Sequence, residues 1–154
     1  MSSGLRLETM RSDPLPAMAP TFKMSVRVYY EDTDAAGIVY HANYLRFMER
    51  CRSDWVRNLG YEISTVDQQF GILLAVRSTR TEYLKPARLS DLLTVTVNLR
   101  ELRRASMWVD QRVCRNTELL CHGAIRLVCL NSATLGPMAI PEPLFSDIKK
   151  WKMP

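Results

Sequence analysis

The sequence predicts an α+β domain in which one long helix is wrapped by an antiparallel sheet. Two patterns carry that prediction. One stretch early in the chain, residues 43–59, places apolar residues at helical spacing, and nearly everything after residue 72 alternates with a period of two. The order adds a third observation: the strand-like runs follow one another with no helix between them, so they build hairpins and not βαβ units. At 154 residues the chain fills one core, and a second would leave both thin.

Taken in order, residues 1–22 are expected to form a disordered leader. Ser, Pro and Met dominate there, and Pro14, Pro16 and Pro20 interrupt any period. Residues 23–154 are expected to form the single folded domain. Its first strand is placed at Ser25 to Tyr30, with Val26, Val28 and Tyr30 on one face. A turn rich in polar and small residues follows, Glu31 to Gly37. The long helix runs from Asn43 to Leu59, with Tyr44, Phe47, Met48, Cys51, Trp55 and Leu59 as its apolar stripe. Arg46, Glu49, Arg50, Arg52, Asp54 and Arg57 take the other side, Asn43 is its expected N-cap and Gly60 its stop.

A short helical turn is expected at Ser64 to Gln69. The strands then run Ile72 to Leu84, Leu93 to Arg100, Ala105 to Cys114 and Leu119 to Leu130, with Arg115-Asn116-Thr117 as a turn. Gly136-Pro137 marks another turn, and a short terminal helix lies within Pro141 to Lys152. Five or six antiparallel strands are expected in all, wrapped around the helix because that is the simplest way to bury its stripe.

Composition narrows the function. No apolar run approaches the roughly 18 residues that cross a bilayer, and charges interrupt the first 20 residues where a secretory signal needs an apolar core. The expected location is therefore the cytoplasm. Cys51, Cys114, Cys121 and Cys129 form no C-x-x-C pair and lie apart from His41 and His122, so no metal site is expected and the thiols read as buried small hydrophobes. The formal charge of +5 permits an anionic partner. Its dispersed basic residues disfavour a nucleic-acid groove.

Unusual chemistry concentrates between the first strand and the helix, where Asp32, Asp34, Gly37, Tyr40, His41 and Asn43 fall within twelve residues. Gly37 permits a bend or a close backbone approach to a ligand. The helix start offers unpaired amides and a partial positive charge, a seat for a developing oxyanion. A carboxylate seven residues upstream can fold back to that point and attack a carbonyl or activate water. The same spacing also describes an Asx-type turn leading into a helix.

The segment Val28-Tyr29-Tyr30-Glu31-Asp32-Thr33-Asp34-Ala35-Ala36-Gly37-Ile38-Val39-Tyr40-His41-Ala42-Asn43-Tyr44 closely resembles the signature of the 4-hydroxybenzoyl-CoA thioesterase family of hotdog proteins. Its Tyr-His-Ala-Asn-Tyr ending resembles the YbgC-like branch, acyl-CoA thioesterases associated with the Tol-Pal system. Glu82-Tyr83-Leu84-Lys85-Pro86-Ala87-Arg88-Leu89-Ser90-Asp91 is similar to the family's strand ending in Tyr-x-x-Pro-Ala, and the resemblance covers about residues 24 to 145.

The resemblance implies a hotdog fold and hydrolysis of short-chain or aromatic acyl-CoA to free acid and CoA, with no metal or bound organic cofactor. Asp34 takes the catalytic carboxylate role, as nucleophile or as general base. The His41 backbone amide is expected to hold the thioester oxygen, with its imidazole available to orient carboxylate or substrate. Asp32 is expected to be structural. Gly37, Tyr40 and Asn43 are assigned to the substrate site, Asn43 also as cap. Arg103 and Arg104, in a turn between strands, are the candidates for the CoA phosphates, with Lys85 and Arg88 behind them; a solvated turn is the alternative. Glu49 reads as a surface residue among arginines and His122 as an ordinary strand residue. The resemblance further implies a homo-oligomer, a dimer or tetramer with the site between subunits. An acyl carrier protein is an alternative partner. A hotdog hydratase or dehydratase and a non-catalytic carrier- or envelope-complex binding module are the rival functions.

Overall fold

The computed structural model describes residues 20–152. Most of the expected leader, residues 1–19, lies outside them. Pro20 and Thr21 are already tied to the sheet: the Asn98 side-chain amide donates to the Pro20 carbonyl at 3.2 Å and to Thr21 Oγ1 at 2.6 Å.

Strand β1 (Phe22–Arg27) opens the fold. A 3-10 turn (Tyr30–Asp32) leads through a loop to helix α1 (His41–Asn58), then α2 (Ile63–Phe70). Strands β2 (Ile72–Tyr83), β3 (Leu92–Leu102), β4 (Ser106–Arg115) and β5 (Glu118–Asn131) follow, and α3 (Leu144–Lys149) closes. The strands form one five-stranded antiparallel sheet in the order β1-β3-β4-β5-β2. This is the hotdog arrangement, with β1 and β2 as its edges.

The first strand lies three residues earlier than its alternation suggests. Pairing with β3 decides the matter, since Phe22 to Arg27 sit opposite Val97 to Leu92. Tyr29 and Tyr30 are therefore left outside the sheet and exposed.

Helix α1 buries Tyr44, Phe47, Met48, Cys51, Trp55 and Val56 against the inner face of the sheet. Leu59, counted into the stripe from sequence, is its half-buried C-cap, and Val56 takes that place. Facing it are Val95 and Val97 of β3, Val109, Gln111 and Val113 of β4, and Ile125 and Leu127 of β5. Burying each large apolar side chain stabilises by about 1.5–3 kcal/mol, so this seam holds the helix in place. Gln111 is a polar exception with 0% exposure: its Nε2 donates to the Met48 carbonyl at 3.0 Å, and its Oε1 accepts Arg52 Nη1 at 2.8 Å. At Gly123 a Cβ would meet Met48 Sδ at 3.0 Å, so glycine lets the helix lie close to β5.

The thiols of Cys51, Cys121 and Cys129 are buried and that of Cys114 is half-buried. Burial pushes Cys51 and Cys121 up to about 12, which keeps both as neutral packing groups. Among the described residues no helix is long and apolar enough to cross a membrane.

Candidate active site

The loop between β1 and α1 is a small closed hairpin. Thr33 and Val39 form an antiparallel bridge, the Asp34 amide donates to the Ile38 carbonyl at 2.9 Å, and the Gly37 amide donates to the Asp34 carbonyl at 2.9 Å. Gly37 sits at φ +77 with open space where a Cβ would be, so it serves the left-handed bend and not a close approach. The Asp34 side chain makes an Asx turn, its Oδ1 accepting the Ala36 amide at 2.8 Å. Its Oδ2 carries no hydrogen bond among the described residues and stays available to a ligand.

Asp32 points elsewhere. Its Oδ2 accepts the Tyr29 amide at 2.8 Å, which caps the 3-10 turn. Its main-chain carbonyl accepts twice, from the Tyr40 amide at 3.0 Å and from Asn43 Nδ2 at 2.9 Å. That contact corrects the sequence assignment of Asn43 as N-cap. The chain turns into the helix earlier, Tyr40 is the cap residue, and Asn43 is already helical and 7% exposed. Its amide serves the loop and not the helix end.

Asp34 and the start of α1 share a cleft of about 330 Å³, lined also by Ile38, Val39, His41, Tyr44, Tyr83, Leu84, Lys85 and Pro86. His41 is the first residue of α1, so its amide and that of Ala42 have no partner within the helix. Its exposed imidazole meets the Tyr83 ring edge-on at 6.0 Å and the Tyr40 ring at 4.5 Å. Tyr83 in turn meets Tyr44 at 5.5 Å. Burial pushes both phenols up, so they stay neutral.

Tyr44 and Tyr83 had no site role from spacing. Tyr44 read as one member of the helix stripe, and the signal for Tyr83 was its place in Tyr-x-x-Pro-Ala. The geometry explains that motif. Ala87, fully buried, donates its amide to Tyr44 Oη at 3.0 Å and accepts the Val39 amide at 2.9 Å. Ile38 bridges Arg88 beside it. The end of β2 is thereby clamped to both the Asp34 loop and the helix, and Pro86 spends no amide in doing so.

The cationic candidates separate. Lys85 stands in the cleft wall, 3.5 Å from Glu118. Arg103 and Arg104 lie in the β3–β4 turn, at the far end of β3, and Arg103 Nε pairs with Glu101 at 2.6 Å. Ten strand residues put them roughly 30 Å from the Asp34 end of the chain's own sheet. Glu49 accepts from Ser53 Oγ at 3.0 Å and forms no ion pair among the described residues, its charge acting on Arg52 only from a distance.

One polar cluster has no counterpart in the sequence reading. On the outer sheet face, Asp110 (2% exposed) is hydrogen-bonded to His122 Nε2 and ion-paired with Arg100 at 3.1 Å, with Arg112 at 3.9 Å. His122 is thus packed against a carboxylate on the neighbouring strand.

A hotdog sheet with a carboxylate loop facing the start of its central helix defines a class, and comparison agrees with it. Over residues 36–122 the chain matches the Thioesterase superfamily, and it belongs to that family. Within it the chain is YbgC-like. It is 37% identical over 121 residues to the acyl-CoA thioesterase YbgC of Haemophilus influenzae, covering 79% of this chain and 89% of that protein. It is 35% identical over 131 residues to the acyl-CoA thioester hydrolase YbgC of Escherichia coli O6:H1, covering 84% and 96%. Among solved structures, a probable thioesterase from Bartonella henselae superimposes with a TM-score of 0.76 at 27% identity, over 79% of this chain and 100% of that one.

Proposed function

We propose that this chain hydrolyses the thioester of short-chain or aromatic acyl-CoA, releasing the free acid and CoA, with Asp34 as the reacting carboxylate. The observation that carries the reading is the shared cleft: Asp34, with one free oxygen, and the first turn of α1 line the same space. A thioester oxygen resting on the His41 amide gathers charge as the carbonyl carbon is attacked, and one such donor contributes about 10²–10³ in rate. Asp34 then acts in one of two ways. As nucleophile it displaces the thiolate to give a mixed anhydride, which water cleaves. As general base it takes a proton from the water that attacks. Both routes consume one water, need no metal or organic cofactor, and end with a proton on the leaving sulfur. The names of the YbgC relatives support the substrate class. A thiol-release assay over a panel of acyl-CoAs tests it: turnover is expected with short-chain or aromatic acyl groups, and none on any member of the panel defeats the reading.

The working unit of the proposal is a cytoplasmic homo-oligomer, a dimer through β2 that pairs again into a tetramer. β2 is an edge strand whose Leu73 and Val76 are 38% and 50% exposed, and an open edge is a template for another strand. Two-fold antiparallel pairing lays the Ile72 end of one β2 beside the Tyr83 end of the other. The turn holding Arg103 and Arg104 belongs to the Ile72 end, because Ser106 is opposite Val128 and Val128 opposite Ala75. The second copy's turn then arrives at the Asp34 end, three strand spacings away or about 15 Å. That is where the CoA phosphates need cations. Val76→Glu places a charge on the edge, and is expected to shift the dimer to monomer in sedimentation and to cut turnover by about tenfold or more. A wild-type chain that sediments as an active monomer rules the arrangement out.

A further inference from the structure

We infer that Asn43 is a positioning residue, which sets the distance between the Asp34 carboxylate and the oxygen-holding amides of α1. The inference rests on the thioesterase reading above and adds to it a side chain that touches neither substrate nor the helix end.

Three observations carry it. Asn43 sits in the first turn of α1, is 7% exposed, and does not line the cleft that Asp34 and His41 share. Its Nδ2 donates to the Asp32 carbonyl at 2.9 Å, two residues before Asp34, and the same oxygen accepts the Tyr40 amide at 3.0 Å. No other α1 side chain among the described residues hydrogen-bonds that limb of the loop. Beyond this point the loop is closed on itself by the Thr33–Val39 bridge and the Asp34–Ile38 bond. It therefore moves as a unit, and the Asn43 contact is where α1 grips it.

The chemistry of the contact dictates the residue type. The partner is a carbonyl, so the side chain must donate, and it must be short enough to leave the helix at its third position and reach straight back. Asparagine does both. Leucine keeps the same branching at Cγ, is somewhat bulkier, and has no donor. Aspartate fills the same volume, but its carboxylate turns lone pairs toward the carbonyl oxygen. If Asn43 merely started the helix, the folded Asn43→Asp enzyme would keep its kcat, the cost of burying the carboxylate falling on stability and being partly offset by the helix dipole. The two roles thus predict opposite outcomes for one substitution.

The test measures kcat and KM for thiol release with the best acyl-CoA of the panel, for wild type, Asn43→Leu and Asn43→Asp, from pH 5 to pH 8, each variant as a ratio to wild type at the same pH. A displacement of about 1 Å costs on the order of 10²-fold, so both variants are expected to lose about 10- to 100-fold in kcat at pH 8. KM is expected to stay within about threefold, because no bound-substrate contact is removed. The Asn43→Asp ratio is expected to climb as pH falls, since a buried carboxyl facing a carbonyl protonates early and then donates as the amide did. A raised KM at normal kcat would make Asn43 a substrate contact and overturn the inference. So would an Asn43→Asp variant with normal kcat at pH 8, or a ratio flat across pH, which also decides the matter if Asn43→Leu fails to fold. Wild type lacking thiol release altogether defeats instead the reading on which the inference stands.

Discussion

Asp34→Asn is expected to lower turnover by more than about 10²-fold while leaving the fold intact. The substitution is nearly isosteric, and the amide oxygen still accepts the Ala36 N–H that holds Oδ1 at 2.8 Å. The Asx turn, the Thr33–Val39 bridge and the left-handed Gly37 are therefore kept, and no buried partner is orphaned. What disappears is the negative oxygen. An amide can neither form the anhydride nor take a proton from water, so both routes stop. The loss is expected in kcat, with KM little changed, because the missing charge acts on the carbonyl as it is attacked and not on the resting thioester. The measurement is thiol release under saturating substrate, with far-UV circular dichroism and sedimentation on the same preparation. Near-wild-type turnover in a folded variant removes Asp34 from the mechanism.

The residues that were legible in the sequence share one property: their roles follow from local spacing. The α1 stripe from Tyr44 to Trp55 repeats at helical intervals and is buried as a stripe. In β3 the alternation of Leu93, Val95 and Val97 with Thr94, Thr96 and Asn98 matches the burial of the inner face, although Asn98 is also buried because the chain at Pro20 and Thr21 covers it. The place of the Asp34 loop beside the start of α1 was legible because its residues are contiguous with the helix. Where a role depends on a partner far along the chain, spacing was silent. Asn43 read as a cap because caps are defined by their own helix, whereas its partner carbonyl is eleven residues back. Tyr83 reaches the cleft only because the last residue of β2 meets the start of α1, its ring standing against those of His41 and Tyr44. The placement of β1 followed its partner β3 and not its own alternation. Arg103 and Arg104 illustrate the reverse: their turn was correctly read as a turn, yet its position at the far end of the sheet depends on the hairpin's direction, which residue type does not encode.

The Asp110 cluster is the clearest product of register, and its removal is the larger of the expected effects on stability. Arg112 stands opposite His122 and Asp110 opposite Ala124, so the carboxylate meets the imidazole along a diagonal of the β4–β5 hairpin. Arg100 approaches from β3 and Arg112 from β4, two residues along from Asp110. Burial raises the Asp110 pKa, but the hydrogen bond from His122 and the charges of His122 and Arg100 outweigh it, and the carboxyl is held below its ordinary value. Asp110→Ala removes the acceptor of His122 and the partner of Arg100; Arg100 is 44% exposed and can turn to water, so the cost rests mainly on the buried His122 bond, about 1.5–3 kcal/mol. For a chain of this length that corresponds to a fall in Tm of roughly 3–12 °C. The pH dependence follows in sign. A depressed carboxylate stabilises the fold at pH values above its unfolded pKa, about 4, and the contribution is lost as pH falls through the lower folded value. Wild type should therefore lose part of its stability on acidification below about pH 4, and the variant should lose correspondingly less. Urea unfolding at fixed protein concentration, at pH 7 and again below pH 4, measures both differences. A variant within about 1 kcal/mol of wild type at pH 7, or one with the same acid slope, would mean that Arg100, Arg112 and His122 do not depend on Asp110 for their place on the sheet.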